Sequence, residues 1–279
     1  MKKFKNITIS IPEEKYEFAF AVLMDFTILG IREDYDKLIV TFDDEIWNEN
    51  VKTELLMALQ SIHMDVFIEK EELIFSKNWN EEFEKNVPLI KVSDRISIAP
   101  EWKKHESESE LTIVINPKMS FGTGQHETTR LISRLMEKYV QEGQFWIDAG
   151  TGTGVLAILA IKLGAKSCFA FDNHTWSTEN AIENVALNKV QDYVEVQQID
   201  IDEFELPKAD GIAANLYANM IIGNAGKFAQ ALSLGAPLIV SGILVYDKDD
   251  LIKSVEKNGF KLIEYIQEAE WVSIAFERV

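Results

Sequence analysis

Residues 147–154 read Ile147-Asp148-Ala149-Gly150-Thr151-Gly152-Thr153-Gly154, an apolar stretch that ends in an acidic residue and leads into three alternating glycines. An unbroken apolar pattern over residues 155–163 follows and predicts a helix. The next apolar run, residues 168–171, ends at Asp172. A strand, a glycine turn, a helix and a second strand with a terminal carboxylate together predict one half of a nucleotide-binding α/β fold.

The spacing of the three glycines indicates which ligand the turn binds. They follow the pattern G-x-G-x-G, and Val155 stands where a dinucleotide-binding turn has its third glycine, which argues against a nicotinamide-dependent dehydrogenase. The sequence contains no phosphate-cradling P-loop pattern. Asp148 disfavours a diphosphate, whereas Asp172 can accept hydrogen bonds from a ribose diol. We therefore expect S-adenosylmethionine, which has a ribose, an adenine, a sulfonium and no phosphate; a purely structural turn is the alternative.

The composition is that of a globular protein with an acidic surface. With 279 residues, 47% of them hydrophobic and 27% charged, the chain is long enough for about two domains. The net charge of −18 argues against direct binding of nucleic acid, which needs clustered Lys and Arg, and it is compatible with a basic protein partner. An acidic surface that only aids solubility explains the charge equally well.

Cysteine usage and the lengths of apolar runs favour a cytoplasmic protein. The single cysteine, Cys168, falls in a predicted strand, so a disulfide framework and a cysteine-rich zinc site are excluded. The histidines lack metal-ligand spacing, and no metal is expected. No signal peptide is predicted, and no apolar run approaches the ~18 residues that span a bilayer. We expect a monomer that does not associate with membranes.

Residues 1–70 predict a separate, smaller ferredoxin-like α+β domain. Period-two and helical apolar patterns alternate along this segment, and with a short strand near residues 27–30 they give the order β-α-β-β-α-β. A unit of this kind favours a macromolecular substrate, so we expect it to recognise the substrate. Residues 71–88 are rich in Glu, Lys and Asn and predict a charged, partly helical linker, anchored to a neighbouring surface by Trp79 and Phe83.

Residues 89–279 predict a Rossmann-like α/β domain with a seven-stranded sheet. Strands alternate with helices, which predicts a parallel sheet with helices on both faces, and the last two strands form a hairpin. Strands are expected at 144–148, 167–171, 193–197, 209–214, 236–242, 260–268 and 271–277, and helices at 154–164, 175–187, 218–232 and 247–257. Shorter strands near 89–92, 96–99 and 111–115 precede them, with an exposed hairpin tip at 102–110.

A second unusual stretch, residues 116–130, contains one proline and two glycines that break regular structure before a helix begins near Gln125. A helix start presents free N–H groups that favour an anion, and the methionine part of the expected cofactor ends in a carboxylate. Thr129 offers a hydroxyl toward it, and Phe121 is placed to cover the cofactor. The alternative is a long loop with a capped helix, and His126 is interpreted as a hydrogen-bonded structural residue.

A third motif lies at the end of a predicted strand, where Asn215 follows two alanines. In open α/β sheets ligands bind at the carboxyl ends of the strands, and Gly150, Asp172 and Asn215 all fall at that edge. An amide has both an acceptor and donors, so Asn215 is suited to orient an amine for attack on the sulfonium methyl group. A turn-forming asparagine is the alternative.

Taken together, these motifs resemble the ribosomal protein L11 methyltransferase family. The resemblance runs from about Trp79 to Val279. It is strongest at Phe121-Gly122-Thr123-Gly124-Gln125-His126-Glu127-Thr128-Thr129, at residues 148–154, at Ala214-Asn215-Leu216 and at Ser241-Gly242-Ile243-Leu244. The first of these runs is highly specific to the family, whereas the glycine turn is shared by many methyltransferases. Residues 1–70 resemble the family's substrate-recognition domain in size and order.

The resemblance implies methyl transfer from S-adenosylmethionine to the N-terminal amine and lysines of that large-subunit ribosomal protein. By position in the family, the cofactor contacts are Thr129, Gly150, Asp172 and Asn215, to which our own interpretation adds Phe121 and Gly152, with Asn215 also the catalytic residue. The turn departs from the family at Thr151 and Thr153, and His174 stands where a second acidic residue is common. Three alternatives stay open: another protein substrate, a small-molecule substrate, and a noncatalytic cofactor-binding protein.

Overall fold

The computed structural model describes residues 3–75, 87–116, 118 and 120–279. The chain divides into two compact units, Met1–Trp79 and Asn80–Val279.

The N-terminal unit is a four-stranded antiparallel sheet with two helices. Its elements are β1 (Lys3–Ser10), α1 (Tyr16–Leu23), β2 (Gly30–Glu33), β3 (Lys37–Asp43), α2 (Glu49–Gln60) and β4 (Phe67–Phe75). The strand order β2-β3-β1-β4 is that of a ferredoxin-like sheet, as predicted. The short strand begins at Gly30 and not at residue 27. Alternate residues of β1 and β3, Ile7, Ile9, Leu38 and Val40 among them, are fully buried and form the core of this unit.

The end of this unit differs from the sequence prediction. Strand β4 continues to Phe75, so residues 71–75, predicted as the start of the linker, belong to the sheet. Glu71 shows why: its carboxylate accepts a hydrogen bond from Trp47 Nε1 at 2.9 Å and pairs with Lys52 Nζ at 2.6 Å. A charged residue in an antiparallel strand is therefore paired across the unit. The rest of the predicted linker, residues 76–86, lies outside the described residues.

The second unit contains the remaining described elements, which we number in chain order. They are β5 (Ile90–Lys91), β6 (Ile96–Pro100), β7 (Leu111–Ile115), α3 (Glu127–Tyr139), β8 (Phe145–Ala149), α4 (Val155–Lys162), β9 (Ser167–Asp172), α5 (Thr175–Leu187), β10 (Val194–Gln198), β11 (Gly211–Asn215), α6 (Ala218–Ala231), β12 (Pro237–Leu244), α7 (Lys248–Glu256), β13 (Phe260–Glu268) and β14 (Trp271–Arg278). Elements β8–β14 and α4–α7 agree with their predicted bounds within two residues.

In the described part of the chain, the main sheet has seven strands in the order β10-β9-β8-β11-β12-β14-β13. The first five are parallel and β14 is antiparallel to both of its neighbours, as predicted. After β8 the chain adds strands first on one side and then, from β11, on the other. This reversal creates a crevice between the carboxyl ends of β8 and β11, where ligands bind in folds of this type.

The smaller sheet, β5-β6-β7, corrects one prediction. Strands β6 and β7 run parallel, so residues 102–110 are not the tip of a hairpin. A short 3-10 helix at Glu101–Glu106 starts the return of the chain instead. The segment is largely exposed and charged, as the sequence indicates, but composition alone does not give the direction of the next strand.

Two asparagines, one in α5 and one directly after it, bond the backbone at the end of β7. Asn188 accepts from Val114 N at 2.9 Å and donates to Val114 O at 2.6 Å, as a neighbouring strand would. One helical turn earlier, Asn184 Oδ1 accepts from Asn116 N at 2.6 Å, and its Nδ2 donates to Thr153 O at 2.9 Å. Asn184 therefore ties the end of β7 directly to the glycine turn.

Helix α4 is the buried helix that the sequence predicts. Residues 155–160 are all buried and pack against both sheets, in the core that also contains Trp146. No helix among the described residues has the length and apolar character that crossing a membrane requires.

Candidate active site

The glycine turn packs closely against the rest of the chain at two of its positions, against backbone at Gly152 and against a leucine side chain at Gly150. Gly152 has φ +55°, and a Cβ there would collide with the carbonyl oxygen of Phe121. Gly150 has φ +74°, and a Cβ there would lie 2.5 Å from Leu216 Cδ2. Glycine tolerates both the positive φ and the close approach. The turn is therefore shaped by its own protein neighbours as well as for a ligand.

The stretch before α3 lies directly on this turn. Thr153 N donates to Phe121 O at 2.9 Å, and Thr153 Oγ1 donates to Gly122 O at 2.9 Å. The side chain of Thr153 is completely buried. The hydroxyl of Thr153 thus joins the two motifs that the sequence singles out.

Asp172 lies at the end of β9 with its carboxylate fixed by backbone donors. Its Oδ2 accepts from Gly152 N at 3.0 Å, and its Oδ1 accepts from His174 N at 3.1 Å. Each carboxylate oxygen keeps a further lone pair, so Asp172 can still accept hydrogen bonds from a diol.

Asp148 lies beneath the turn and does not line the cavity described below. Its Oδ2 accepts from Thr151 Oγ1 at 2.6 Å and from Ala157 N at 3.0 Å. Its Oδ1 has no hydrogen-bond partner among the described residues. Complete burial raises the pKa of Asp148 to about 7, the two hydrogen bonds oppose the rise, and the charge of Asp172 adds to it. Asp148 thus connects the turn to the start of α4.

Asn215 ends β11 and faces the start of α3. Its Nδ2 donates to Thr128 Oγ1 at 3.3 Å, while its buried Oδ1 has no partner within the described chain. Thr129 Oγ1 is likewise buried and unpartnered there. Helix α3 begins at Glu127, two residues later than predicted, with His126 as its N-cap. Two acceptor or donor atoms are therefore left free for a ligand at this junction.

These groups surround one cavity of about 450 Å³, a size typical of ligand pockets. Of the predicted site residues, Phe121, Gly150, Gly152, Asp172 and Asn215 line it. Thr129, the remaining predicted site residue, is buried next to Thr128 and is not among the lining residues. The lining residues that sequence reasoning missed as site residues are Thr128, His126, Asn173, His174, Trp176, Asp200, Ile201, Tyr217, Met220 and Trp271 among others.

The lining suits a cationic nucleoside. No Lys or Arg occurs among the described lining residues, so none of them carries a permanent positive charge that would neutralise a phosphate. Asp172 and Asp200 give it negative charge, and Trp176 and Ile201 provide flat or apolar surface. The lining residue Asn215 has a buried Oδ1 without a partner among the described residues, and a ligand can complete this polar contact. The residues present therefore fit a ligand with a ribose, a base and a positive charge.

Comparisons of the sequence and of the structure with known proteins point to the same family. The family model described as Ribosomal protein L11 methyltransferase (PrmA) matches residues 35–279. The proteins named ribosomal protein L11 methyltransferase from Chlorobaculum tepidum and Chlorobaculum parvum are each 35% identical to this chain, over 98% of it and 96% of their own length. The crystal structure of ribosomal protein L11 methylase from Lactobacillus delbrueckii subsp. bulgaricus is 28% identical, with a TM-score of 0.62, and covers 68% of this chain and 97% of its own.

Proposed function

The chain belongs to the ribosomal protein L11 methyltransferase family, and from this premise we propose that it transfers methyl groups from S-adenosylmethionine to amino groups of ribosomal protein L11. The observation that carries the proposal is the cavity itself. The cavity contains an unpartnered acceptor, Asn215 Oδ1, and the carboxylate of Asp172, which can accept hydrogen bonds from a diol. No Lys or Arg occurs among the described lining residues.

When bound, S-adenosylmethionine supplies a methyl group on a positively charged sulfur. Asp172 is placed to accept hydrogen bonds from the ribose hydroxyls, and Gly150 and Gly152 line the same cavity beside it. Phe121, half exposed at the cavity, is placed to cover the ligand, and Thr129 offers its free hydroxyl. These assignments are part of the proposal.

The amine that receives the methyl group must be neutral. A lysine with a pKa of ~10.4 is neutral at pH 7 in roughly one molecule in 2,500, which costs about 4.6 kcal/mol, whereas an α-amine with a pKa of ~7.8 costs about 1.1 kcal/mol. Desolvation beside a cation favours the neutral form of both. Asn215 Oδ1 accepts an N–H of this amine and so directs its lone pair toward the methyl carbon. The chain needs to supply orientation more than a strong base.

The modified amines are proposed to be the N-terminal amine and lysines, and the protein is proposed to act as a monomer in the cytoplasm without direct contact to nucleic acid. The net charge of −18 supports the last point and favours a basic protein substrate. Residues 1–70 are proposed to recognise the substrate and residues 89–279 to hold the cofactor and the reacting groups.

The direct test incubates the protein with S-adenosylmethionine and ribosomal protein L11 and measures the mass of L11, which should rise by one methyl group at a time. In the same assay Asn215→Ala should lower kcat by about 100-fold, the scale for removal of one transition-state hydrogen bond. Its Kd for S-adenosylmethionine should change far less.

Asn219→Ala, at an exposed asparagine in α6, is the matched control. Methylation of another lysate protein but not of L11 would reject the substrate and keep the chemistry; equal kcat in Asn215→Ala would reject its role.

A further inference from the structure

We propose that Thr128 is a positioning residue, which fixes the amide of Asn215 so that Oδ1 faces the substrate amine, and that His126 sets the direction of this hydrogen-bond chain. The inference rests on the proposed function, because it concerns how Asn215 presents its oxygen to an amine. Three side chains from a loop, a helix start and a strand end form the chain: His126, Thr128 and Asn215.

The direction of the chain follows from one donor that cannot rotate. Thr128 N, a backbone N–H, points at His126 Nδ1 across 3.3 Å, so Nδ1 is the unprotonated acceptor nitrogen of the ring. Thr128 Oγ1 lies 2.9 Å from the same nitrogen and therefore donates its hydroxyl proton to it. A hydroxyl has a single proton, so Thr128 Oγ1 can only accept on its other side.

That other side faces Asn215. At 3.3 Å from Thr128 Oγ1, the amide must present its NH₂ group, which leaves Oδ1 as the end that points away. A flipped amide would set its oxygen against a hydroxyl oxygen that has no proton left to give. Asn215 Oδ1 is buried and has no partner among the described residues, so the orientation that Thr128 imposes leaves one acceptor free at the cavity.

The ring that starts the chain is itself held in place. The ring centroid of His126 lies 5.3 Å from that of Phe121 and 4.8 Å from that of Trp271, with the two aromatic rings inclined to it. Such tilted contacts favour one ring plane over its alternatives. His126 also caps α3 through the same Nδ1 atom. Through Thr128, the helix-capping residue His126 thereby determines which end of the Asn215 amide faces the cavity.

The test compares two substitutions that differ in one hydroxyl. Thr128→Val keeps the shape and removes the hydroxyl, and it should lower kcat for L11 methylation by about 10- to 100-fold, the effect of a misplaced reacting group. The Kd for S-adenosylmethionine, measured by calorimetry, should stay within about twofold of the parent value if the loss is one of orientation. Thr128→Ser keeps the hydroxyl and should restore most of kcat. Ser133→Ala, which removes another buried hydroxyl from α3, is the control for a general loss of stability.

A double-mutant cycle separates positioning from packing. In an Asn215→Ala background, Thr128→Val should cause no further loss of kcat, because the amide on which it acts is gone. The inference is overturned if Thr128→Val keeps full kcat, if Thr128→Ser loses as much as Thr128→Val, or if the two losses multiply in the double variant. If Thr128→Val does not fold, Thr128→Ala, which also lacks the hydroxyl, replaces it in the comparison with Thr128→Ser and in the Asn215→Ala cycle. Failure of the parent protein to methylate L11 would instead reject the proposed function, which distinguishes the two.

Discussion

The two sides of the cavity differ in whether their polar groups already have hydrogen-bond partners within the protein. On the glycine-turn wall, residues 150–154 with Asp172, the polar side chains and the backbone are already engaged with each other and with Phe121. On the amide wall, Thr128, Thr129 and Asn215, two buried polar atoms have no partner in the described chain. The first wall is complete without ligand, whereas the second is completed by one.

This difference predicts how substitutions divide. Changes to the glycine-turn wall should alter folding and cofactor binding together, because the same hydrogen bonds serve both. Changes to the amide wall should alter turnover with little loss of stability, because its buried atoms without a partner do not stabilise the folded state. The comparison would be wrong if a substitution on the glycine-turn wall changed turnover alone, or if one on the amide wall changed folding and cofactor binding together.

The largest expected effect concerns Asp148, below the glycine-turn wall. Burial raises its pKa from 3.8 to about 7, so between these values the folded protein binds one proton more than the unfolded chain. The stabilisation this proton provides is fully present below pH 3.8 and is lost as the pH rises through 7. A rise of this size corresponds to roughly 4 kcal/mol.

Asp148→Asn keeps the shape of the side chain and removes the titration. The unfolding free energy of this variant minus that of the parent should therefore increase by about 4 kcal/mol between pH 4 and pH 8, measured by urea denaturation at a series of pH values. Asp249→Asn, at an exposed position, is the control for the loss of a carboxylate as such. A difference that stays constant with pH would mean that Asp148 is ionised throughout, and the wall would then hold a buried charge.

Next in size is Gly152→Ala. Alanine at this position must keep a positive φ, which costs about 1–2 kcal/mol. Its Cβ must also displace the carbonyl of Phe121, and overpacking of this kind costs about 1–3 kcal/mol. We expect a loss of about 3 kcal/mol in unfolding free energy and at least about tenfold weaker binding of S-adenosylmethionine, since Gly152 N also holds Asp172.

Gly223→Ala is the matched control, because a Cβ at this exposed position in α6 meets no atom within 4 Å. Alanine is the better helix former, so this variant should gain up to about 1 kcal/mol and bind the cofactor unchanged. If Gly152→Ala lost binding but kept full stability, the turn would be shaped for the ligand alone, and the contact with Phe121 would be unimportant.

The two walls also differ in how well the sequence predicts them. The glycine-turn wall could be predicted because its residues are neighbours in sequence, from Asp148 to Gly154, with Asp172 one strand later. The amide wall is formed across long separations: Thr128 and Asn215 lie 87 residues apart. Nothing local in the sequence indicates that Thr128 contacts the amide, or that Trp271 reaches the cavity from the last strand.

The direction of β7 was missed for a related reason. A charged, exposed stretch between two short strands is typical of a hairpin, and residues 102–110 fit that description. In the parallel arrangement, Asn188 and Asn184, about 70 residues further along, bond the backbone of Val114 in β7 and of Asn116 just after it. Polar residues on a helix face read as solvent-exposed from sequence, although here they take the place of a neighbouring strand.

The smallest expected effect separates the two walls most directly, since each has one tryptophan. Trp176 lines the cavity near Asp172 and packs against His174 at 5.3 Å between ring centroids, whereas Trp271 packs against His126 at 4.8 Å. An aromatic contact contributes about 0.5–1.5 kcal/mol, or roughly 2- to 12-fold in an equilibrium or a rate. Trp176→Leu should therefore weaken the Kd for S-adenosylmethionine a few-fold with kcat unchanged. Trp271→Leu should lower kcat a few-fold with Kd unchanged, because it loosens the ring that orients Thr128 and, through it, Asn215. If both substitutions changed Kd alone, the amide wall would bind the cofactor without orienting the amine.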